Sequence, residues 1–280
     1  MSQNGQGARD ARDPQGAGRP TVVVTGGAGH IGTYLRTVDG GLAAHGWQLH
    51  LVDATPADDL APGERFTAVD LTTPEADACL EAAMAGADAV VHLAAIPSED
   101  DFWAIRQANI DGTFRVFDAA RRAGVRRLVF ASSNHAVGFY PAGDPAPVGG
   151  PVRPDGYYGL SKAFGEALGS LYADKYGLEV VSLRIGACFG RPGDERGLAI
   201  WLSPGDAVRL VAAALSGPVD GHTVVYGISA NTRAWWDLDA ARALGYDPQD
   251  DSEVYADQAG PAAEPAGLVG GPFALEHHPA

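Results

Sequence analysis

From Thr21 onward the chain alternates short apolar runs with longer stretches whose apolar residues recur at helical spacing, the pattern of a parallel sheet covered by helices on both faces. The runs predict strands at 21–25, 47–53, one ending near Asp70, then 89–93, 127–131, 178–184 and 223–226. Helices are predicted at about 29–44, 101–123 and 157–176, the second carrying Phe102, Ile105, Ala108, Ile110, Phe114 and Phe117 and stopping at Gly124. Thr73 followed by Pro74 marks a further helix start, and Ser203-Pro204-Gly205-Asp206 has the form of a capping box. The fold class is therefore α/β, a doubly wound parallel sheet, with a small C-terminal substrate-binding part. No internal repeat interrupts it.

Where periodicity fails, the reading changes. Residues 1–19 and 250–280 lack it and are expected to be disordered tails around one domain spanning 20–249. Inside that domain, 132–156 is rich in Gly and Pro and 185–203 is polar, and both are expected to form substrate-binding loops. Neither end carries a signal-peptide core and no run is long enough for a membrane helix, so a cytoplasmic protein without membrane contact is expected.

Charge removes one class of partner. With 35 acidic against 20 basic residues the formal charge is −15, which repels nucleic acid and anionic lipid. The two cysteines, Cys79 and Cys188, suit neither a disulfide framework nor a zinc site, so they read as free thiols and no metal is expected. Eighteen of the basic residues are arginine, which makes the two lysines, Lys162 and Lys175, conspicuous.

The first strand runs directly into Thr25-Gly26-Gly27-Ala28-Gly29-His30-Ile31-Gly32, with Gly26, Gly29 and Gly32 three apart at a helix start. That context turns a weak glycine pattern into a dinucleotide signal: a tight turn, close backbone approach to a pyrophosphate, and helix amides aimed at phosphate oxygens. This makes the sheet Rossmann-type. Asp53, ending the second strand 21 residues after Gly32, is placed to accept from ribose hydroxyls and to repel a 2′-phosphate, so NAD is preferred over NADP. Arg65 is the arginine that might reach across to reverse that preference. Asp70 with Leu71 is placed to contact adenine, although an acidic residue at a strand end equally serves a turn.

Tyr158-Gly159-Leu160-Ser161-Lys162 sets a phenol and an ammonium four apart at the start of a helix, on one face. A nearby cation and the positive nicotinamide ring favour the phenolate, so Tyr158 can act as base while Lys162 also meets ribose hydroxyls. Ser132 and Ser133, at a strand's carboxyl end where ligands bind in such sheets, offer a hydroxyl to the reacting oxygen. His92 reads as a hydrogen-bonded core residue, and Trp235 with Trp236 as packing.

Together with His92-Leu93-Ala94-Ala95, these motifs make residues 21–246 resemble the extended short-chain dehydrogenase/reductase superfamily. Within it the chain is most similar to NAD-dependent uronate dehydrogenases, through Phe130-Ala131-Ser132-Ser133-Asn134-His135, Arg153-Pro154-Asp155-Gly156, Leu183-Arg184-Ile185-Gly186, Gly227-Ile228-Ser229-Ala230-Asn231 and Trp235-Trp236-Asp237. The resemblance implies oxidation of a hexuronic acid at C1 to its aldarolactone, with Tyr158, Lys162 and Ser133 catalytic. It implies that His30, Ile31, Leu93, Ala94, Ala95 and Ile185 join the glycines, Asp53, Asp70 and Leu71 around NAD, and that Ser133, Asn134, His135 and Arg196 contact the sugar. An arginine fork suits a carboxylate, although Arg196 in a Gly-rich polar loop is equally placed to be solvated. Pro97 and Ala187 stand where these enzymes tend to carry sugar-binding serines, and Ser98 is the neighbouring hydroxyl that might substitute. A homo-oligomer is also implied.

Two other readings stay open. The same cofactor site serves nucleotide-sugar epimerases and dehydratases or dehydrogenases of a related aldose, and it also serves non-catalytic regulatory proteins. Against the epimerases stands the short chain after Arg184; against the regulators, the Tyr158 and Lys162 pair.

Overall fold

The structure, a computed structural model, describes residues 18–143, 148–261 and 267–275. In chain order the strands are β1 Thr21–Thr25, β2 Gln48–Asp53, β3 Arg65–Ala68, β4 Ala89–His92, β5 Arg127–Ser133, β6 Glu179–Ile185, β7 Ala187–Cys188, β8 Trp201–Leu202 and β9 His222–Gly227. The helices are α1 His30–Thr37, α2 Gly41–Ala44, α3 Ala76–Met84, α4 Phe102–Ile105, α5 Gly112–Arg122, α6 Tyr157–Tyr176, α7 Glu195–Ile200, α8 Pro204–Ser216 and α9 Asp239–Ala243. Seven strands pair in the order β3-β2-β1-β4-β5-β6-β9, all parallel, and β7 with β8 forms a separate parallel pair. The order reverses between β1 and β4, the switch point at which such sheets open a crevice.

Strands buried on both faces read as unbroken apolar runs because helices cover each side. Val22, Val24, Leu49 and Leu51 face a core shared with Leu35, Leu42, Leu210 and Val211 from α1, α2 and α8. Val23, Val90, Leu128 and Phe130 face the opposite core, closed by Leu80, Phe117, Leu168 and Tyr172 from α3, α5 and α6. Trp236 stacks on Tyr226 with ring centroids 4.4 Å apart, inside the first of these cores.

Several elements depart from the sequence reading for local reasons. The helix expected over 29–44 breaks after Thr37, where Asp39 takes a left-handed conformation (φ 51°) before α2 begins. The helix after Thr73-Pro74 starts at Ala76 instead. The helix expected over 101–123 contains a π turn at Arg106–Asp111 between α4 and α5, and that wider turn shifts the apolar stripe so that Phe114 faces outward. β5 continues through Ser132 and Ser133. α6 matches its predicted range, with Glu99 accepting from the Tyr157 and Tyr158 amides at 2.7 and 2.8 Å and Gly177 (φ 72°) ending it. At α8, Ser203 accepts from the Asp206 amide as expected of a cap, but the Asp206 carboxylate turns to the Gln249 and Asp250 amides.

The expected disordered tail from 250 is contradicted over residues 250–261 and 267–275. Asp250 is held by Arg209 at 2.9 Å and by Ser203. Residues 267–270 lie against the loop after β5, with Val269 donating to the Tyr140 carbonyl and Gly270 to the Gly138 carbonyl, both at 2.9 Å. The segment has no amphipathic period because hydrogen bonds hold it, with Ser252 and Val269 fully buried. Of the tails, residues 1–17, 262–266 and 276–280 lie outside the described residues. Among the described residues, no helix is long and apolar enough to cross a membrane, and no three His, Cys, Asp or Glu side chains are grouped to hold a metal ion.

A Cβ on Gly165 would meet the Phe130 ring at 2.2 Å, whereas Gly190 has open space around it. Gly165→Ala is expected to lower unfolding free energy by roughly 1–3 kcal/mol in urea titrations, with Gly190→Ala near wild type.

Candidate active site

One cavity of about 770 Å³ runs along the carboxyl ends of the strands. Its floor begins at the turn after β1. Gly26 has φ 74°, and a Cβ there would sit 2.6 Å from the Ala94 amide nitrogen; one on Gly32 would sit 2.5 Å from the Gly26 carbonyl oxygen. Only hydrogen fits at either position. The turn can therefore lie on the β4 backbone while α1 starts against it, and Gly29 caps α1 without any side-chain hydrogen bond, which leaves first-turn amides open to the cavity. Such a cradle fits the pyrophosphate of a dinucleotide.

Gly26, Gly29, His30, Ile31 and Gly32 all line the cavity, as do Leu93, Ala94 and Ala95. Asp53 also lines it while bracing the turn, its Oδ2 accepting from the Ala28 amide and its Oδ1 from that of Thr55, both at 3.0 Å. Asp70 and Leu71 stand beside it, and Asp70 Oδ1 accepts from the Thr72 amide and hydroxyl at 2.9 and 2.7 Å, which holds the carboxyl below its usual range. Asp70 thus serves the turn while lining the cavity. Arg65 is set opposite His50 at the far end of β3, away from Asp53, so it cannot reach across. Among the described residues no arginine lines this end.

Three strand steps separate β2 from β5, roughly 14 Å at usual spacing, and there the second group of predicted residues gathers. Ser133, Asn134, His135, Tyr158, Lys162, Ile185 and Arg196 all line the cavity. Ser132 donates to Glu166 at 2.6 Å, and Glu166 takes a two-bond fork from Arg184 at 2.9 and 2.8 Å, so the hydroxyl left for chemistry is that of Ser133. The Ser133 hydroxyl faces the Tyr158 phenol in the same cavity and favours its ionised form. Lys162 Nζ lies 5.4 Å from the Tyr158 ring centroid and 5.3 Å from that of Phe130.

Burial pushes the Tyr158 phenol up to about 12 in the cofactor-free protein despite the facing Ser133 hydroxyl, and burial pulls Lys162 down to about 8. His92, which receives no solvent, is pulled down to about 3 and sits between the Thr25 and Thr113 hydroxyls at 2.7 and 3.0 Å, a neutral core residue.

Two predicted sugar contacts need revision. Ser98 is exposed and is absent from the cavity lining, which holds Pro97 instead; the chain turns there so that Glu99 can cap α6. Arg196, neither solvated nor free, spends Nε and Nη2 on the Val269 carbonyl at 3.1 and 2.6 Å. The Asn134 amide satisfies both its ends by donating to the Ile185 carbonyl and accepting from Arg196 Nη2, each at 3.1 Å.

Two residues lining this cavity, Phe189 and Phe273, and two that hold residues of its lining, Asn109 and Asp155, escaped the sequence reading. Asn109, on the π turn, holds the Ile96 backbone on both sides and donates to Ser161 at 3.1 Å; the π turn has no pattern in sequence. Asp155 is buried and meets His135 Nδ1 at 2.7 Å. Phe273 stacks on His135 at 4.3 Å, and Phe189 approaches His30 at 5.7 Å. The Arg153-Pro154-Asp155-Gly156 match was the available signal for Asp155; Phe273 lay in the presumed tail.

Residues 22–239 match the NAD dependent epimerase/dehydratase family. The chain is 41% identical over 261 residues to a uronate dehydrogenase of Pseudomonas putida, covering 91% of this chain and 95% of that one. Two crystal structures superpose over almost the whole fold. A glucuronic acid dehydrogenase from Chromohalobacter salexigens gives a TM-score of 0.86 at 38% identity over 93% of this chain and 98% of that one. A uronate dehydrogenase mutant from Agrobacterium tumefaciens complexed with NAD gives 0.84 at 38% identity over 92% and 98%.

With its phenol near 12, Tyr158 stays protonated through pH 10 in the cofactor-free protein. The tyrosinate absorbance difference between wild type and Tyr158→Phe is expected to show no step below that pH, and saturating oxidised dinucleotide, a cation at its nicotinamide, is expected to bring the step down.

Proposed function

Because the chain belongs to the NAD dependent epimerase/dehydratase family, we propose that it oxidises a hexuronic acid such as glucuronate or galacturonate at C1, giving the aldarolactone. The observation that carries this reading is the sharing of one cavity by Tyr158, Ser133 and Lys162 with Arg196, a base cluster beside an arginine suited to a carboxylate. NAD supplies the hydride-accepting nicotinamide, and Asp53 at the other end favours it over a 2′-phosphorylated cofactor.

In this reading Ser133 holds the C1 oxygen and Tyr158 takes the hydroxyl proton as C1 loses its hydride, so the substrate gives up two hydrogens as H⁻ and H⁺. Lys162, charged below about 8, binds ribose hydroxyls and stabilises the phenolate that accepts the proton. Arg196 reads the sugar carboxylate with the donors that Val269 leaves, and Asn134 and His135 take ring hydroxyls. Ile96, Pro97 and Ala187 present apolar surface among them, which supports selection by fit at those points.

The helices α4, α5 and α6 support a homo-oligomer. Leu160, Phe164, Ala167 and Leu171 repeat at helical spacing along α6, with Leu160 and Leu171 exposed, and Trp103 and Phe114 lie exposed on α4 and α5. Free thiols at Cys79 and Cys188 fit a reducing, cytoplasmic setting.

Reduction of NAD, followed by absorbance, is expected with glucuronate and galacturonate and not with NADP, UDP-sugars or neutral aldoses. Turnover of a neutral aldose alone overturns the uronate reading. Tyr158→Phe is expected to lower kcat by roughly a thousandfold with NAD affinity unchanged. Leu171→Asp is expected to shift sedimentation toward the monomer, and a monomeric wild type overturns the oligomer.

A further inference from the structure

We propose that Asp155 is a positioning residue for this oxidation, holding His135 with its proton on Nδ1 so that Nε2 meets a sugar hydroxyl as a hydrogen-bond acceptor. The proposal rests on the reading that this end of the cavity takes the sugar, and it assigns that end a fixed acceptor beside the donors of Arg196.

The geometry is built around one carboxylate. Asp155 Oδ2 lies 2.7 Å from His135 Nδ1, with the Asp155 side chain 1% exposed. An ionised carboxylate only accepts, so the nitrogen facing it carries hydrogen. Among the described residues no protein group hydrogen-bonds Nε2, and His135 lines the cavity, so Nε2 is the ring nitrogen left to a ligand. The ring cannot turn away, because Phe273 stacks on one face at 4.3 Å and 20° and Tyr158 meets it edge-on at 5.7 Å.

Space for the carboxylate is reserved by glycine. A Cβ on Gly138 would fall 1.9 Å from Asp155 Oδ2, one on Gly270 1.8 Å from the same atom, and one on Gly159 2.8 Å from Oδ1. Three separate segments of chain therefore omit a side chain at this point. The second carboxylate oxygen, Oδ1, is buried without a hydrogen-bond partner. An orphaned buried oxygen destabilises the fold, and a purely structural site would gain from an apolar residue here. Arg196 lies within electrostatic reach and offsets part of that cost. Asp155 is also tied to its target through the backbone, its amide donating to the His135 carbonyl at 3.4 Å.

The tautomer is read directly by long-range ¹H–¹⁵N correlation of histidine-labelled full-length protein at pH 8, with His135→Asn identifying the signals. Wild type is expected to show Nδ1 protonated and Nε2 unprotonated, and Asp155→Asn, whose amide can also donate, is expected to populate the other tautomer. In turnover with whichever sugar the enzyme oxidises, Asp155→Asn is expected to raise the sugar KM about tenfold while the NAD KM stays within about twofold and kcat changes less than KM. Adding Asp155→Asn to His135→Asn is expected to cost nothing further. An Nε2-protonated His135 in wild type, or a full additional loss in the double variant, overturns the proposal. The wild-type spectrum needs no substrate and no folded Asp155 variant, so it stands even if no uronate is turned over, an outcome that defeats only the substrate reading.

Discussion

The cavity depends on a backbone contact in which Gly26 lies against the Leu93–Ala94 peptide, closer than any side chain would allow. That contact brings the end of β1 onto the end of β4 at the strand-order reversal. Everything beyond follows from it: α1 starts with open amides, the Gly26 amide donates to the Val52 carbonyl at 2.8 Å, and Asp53 is drawn in to brace Ala28. One helix start and one carboxylate thus serve both the architecture and the ligand. The same glycines that weaken a helix in isolation are required here, since each replaces a steric clash with a binding surface.

At the other end the constraint is electrostatic. Ser132, Glu166 and Arg184 form a buried network beneath the carboxyl end of β5, and they divide two adjacent serines into one committed to structure and one facing Tyr158. Burial keeps Tyr158 protonated and discharges Lys162 more readily than in water. The C-terminal segment completes the site, with Val269 taking the Arg196 fork and Phe273 covering His135, so the end of the chain shapes the chemistry begun by its first strand.

Much of this was legible in the residues. Short unbroken apolar runs mark the seven sheet strands to within a few residues, because parallel strands buried on both faces leave that trace, and α6 is legible over its whole length. The glycine spacing, Asp53 and the Tyr158–Lys162 interval were local enough to read because each acts within a single turn or strand end. The π turn at Arg106–Asp111 was invisible, since it changes hydrogen-bond register without changing composition. The segment from 250 departs from its reading for a related reason, its order coming from hydrogen bonds to residues 193–209 and, at 267–270, to a loop more than 100 residues earlier in the chain.

Sequence by itself determined the α/β class, the glycine turn after β1 and the placing of Tyr158 and Lys162 one helical turn apart, because each follows from residue type at short spacing. Only tertiary structure decided which serine is free, that Ser98 faces solvent, how Arg196 is held and that Asp155 stands behind His135. Those outcomes depend on burial and on contacts between distant segments, and neither leaves a periodic trace along the chain.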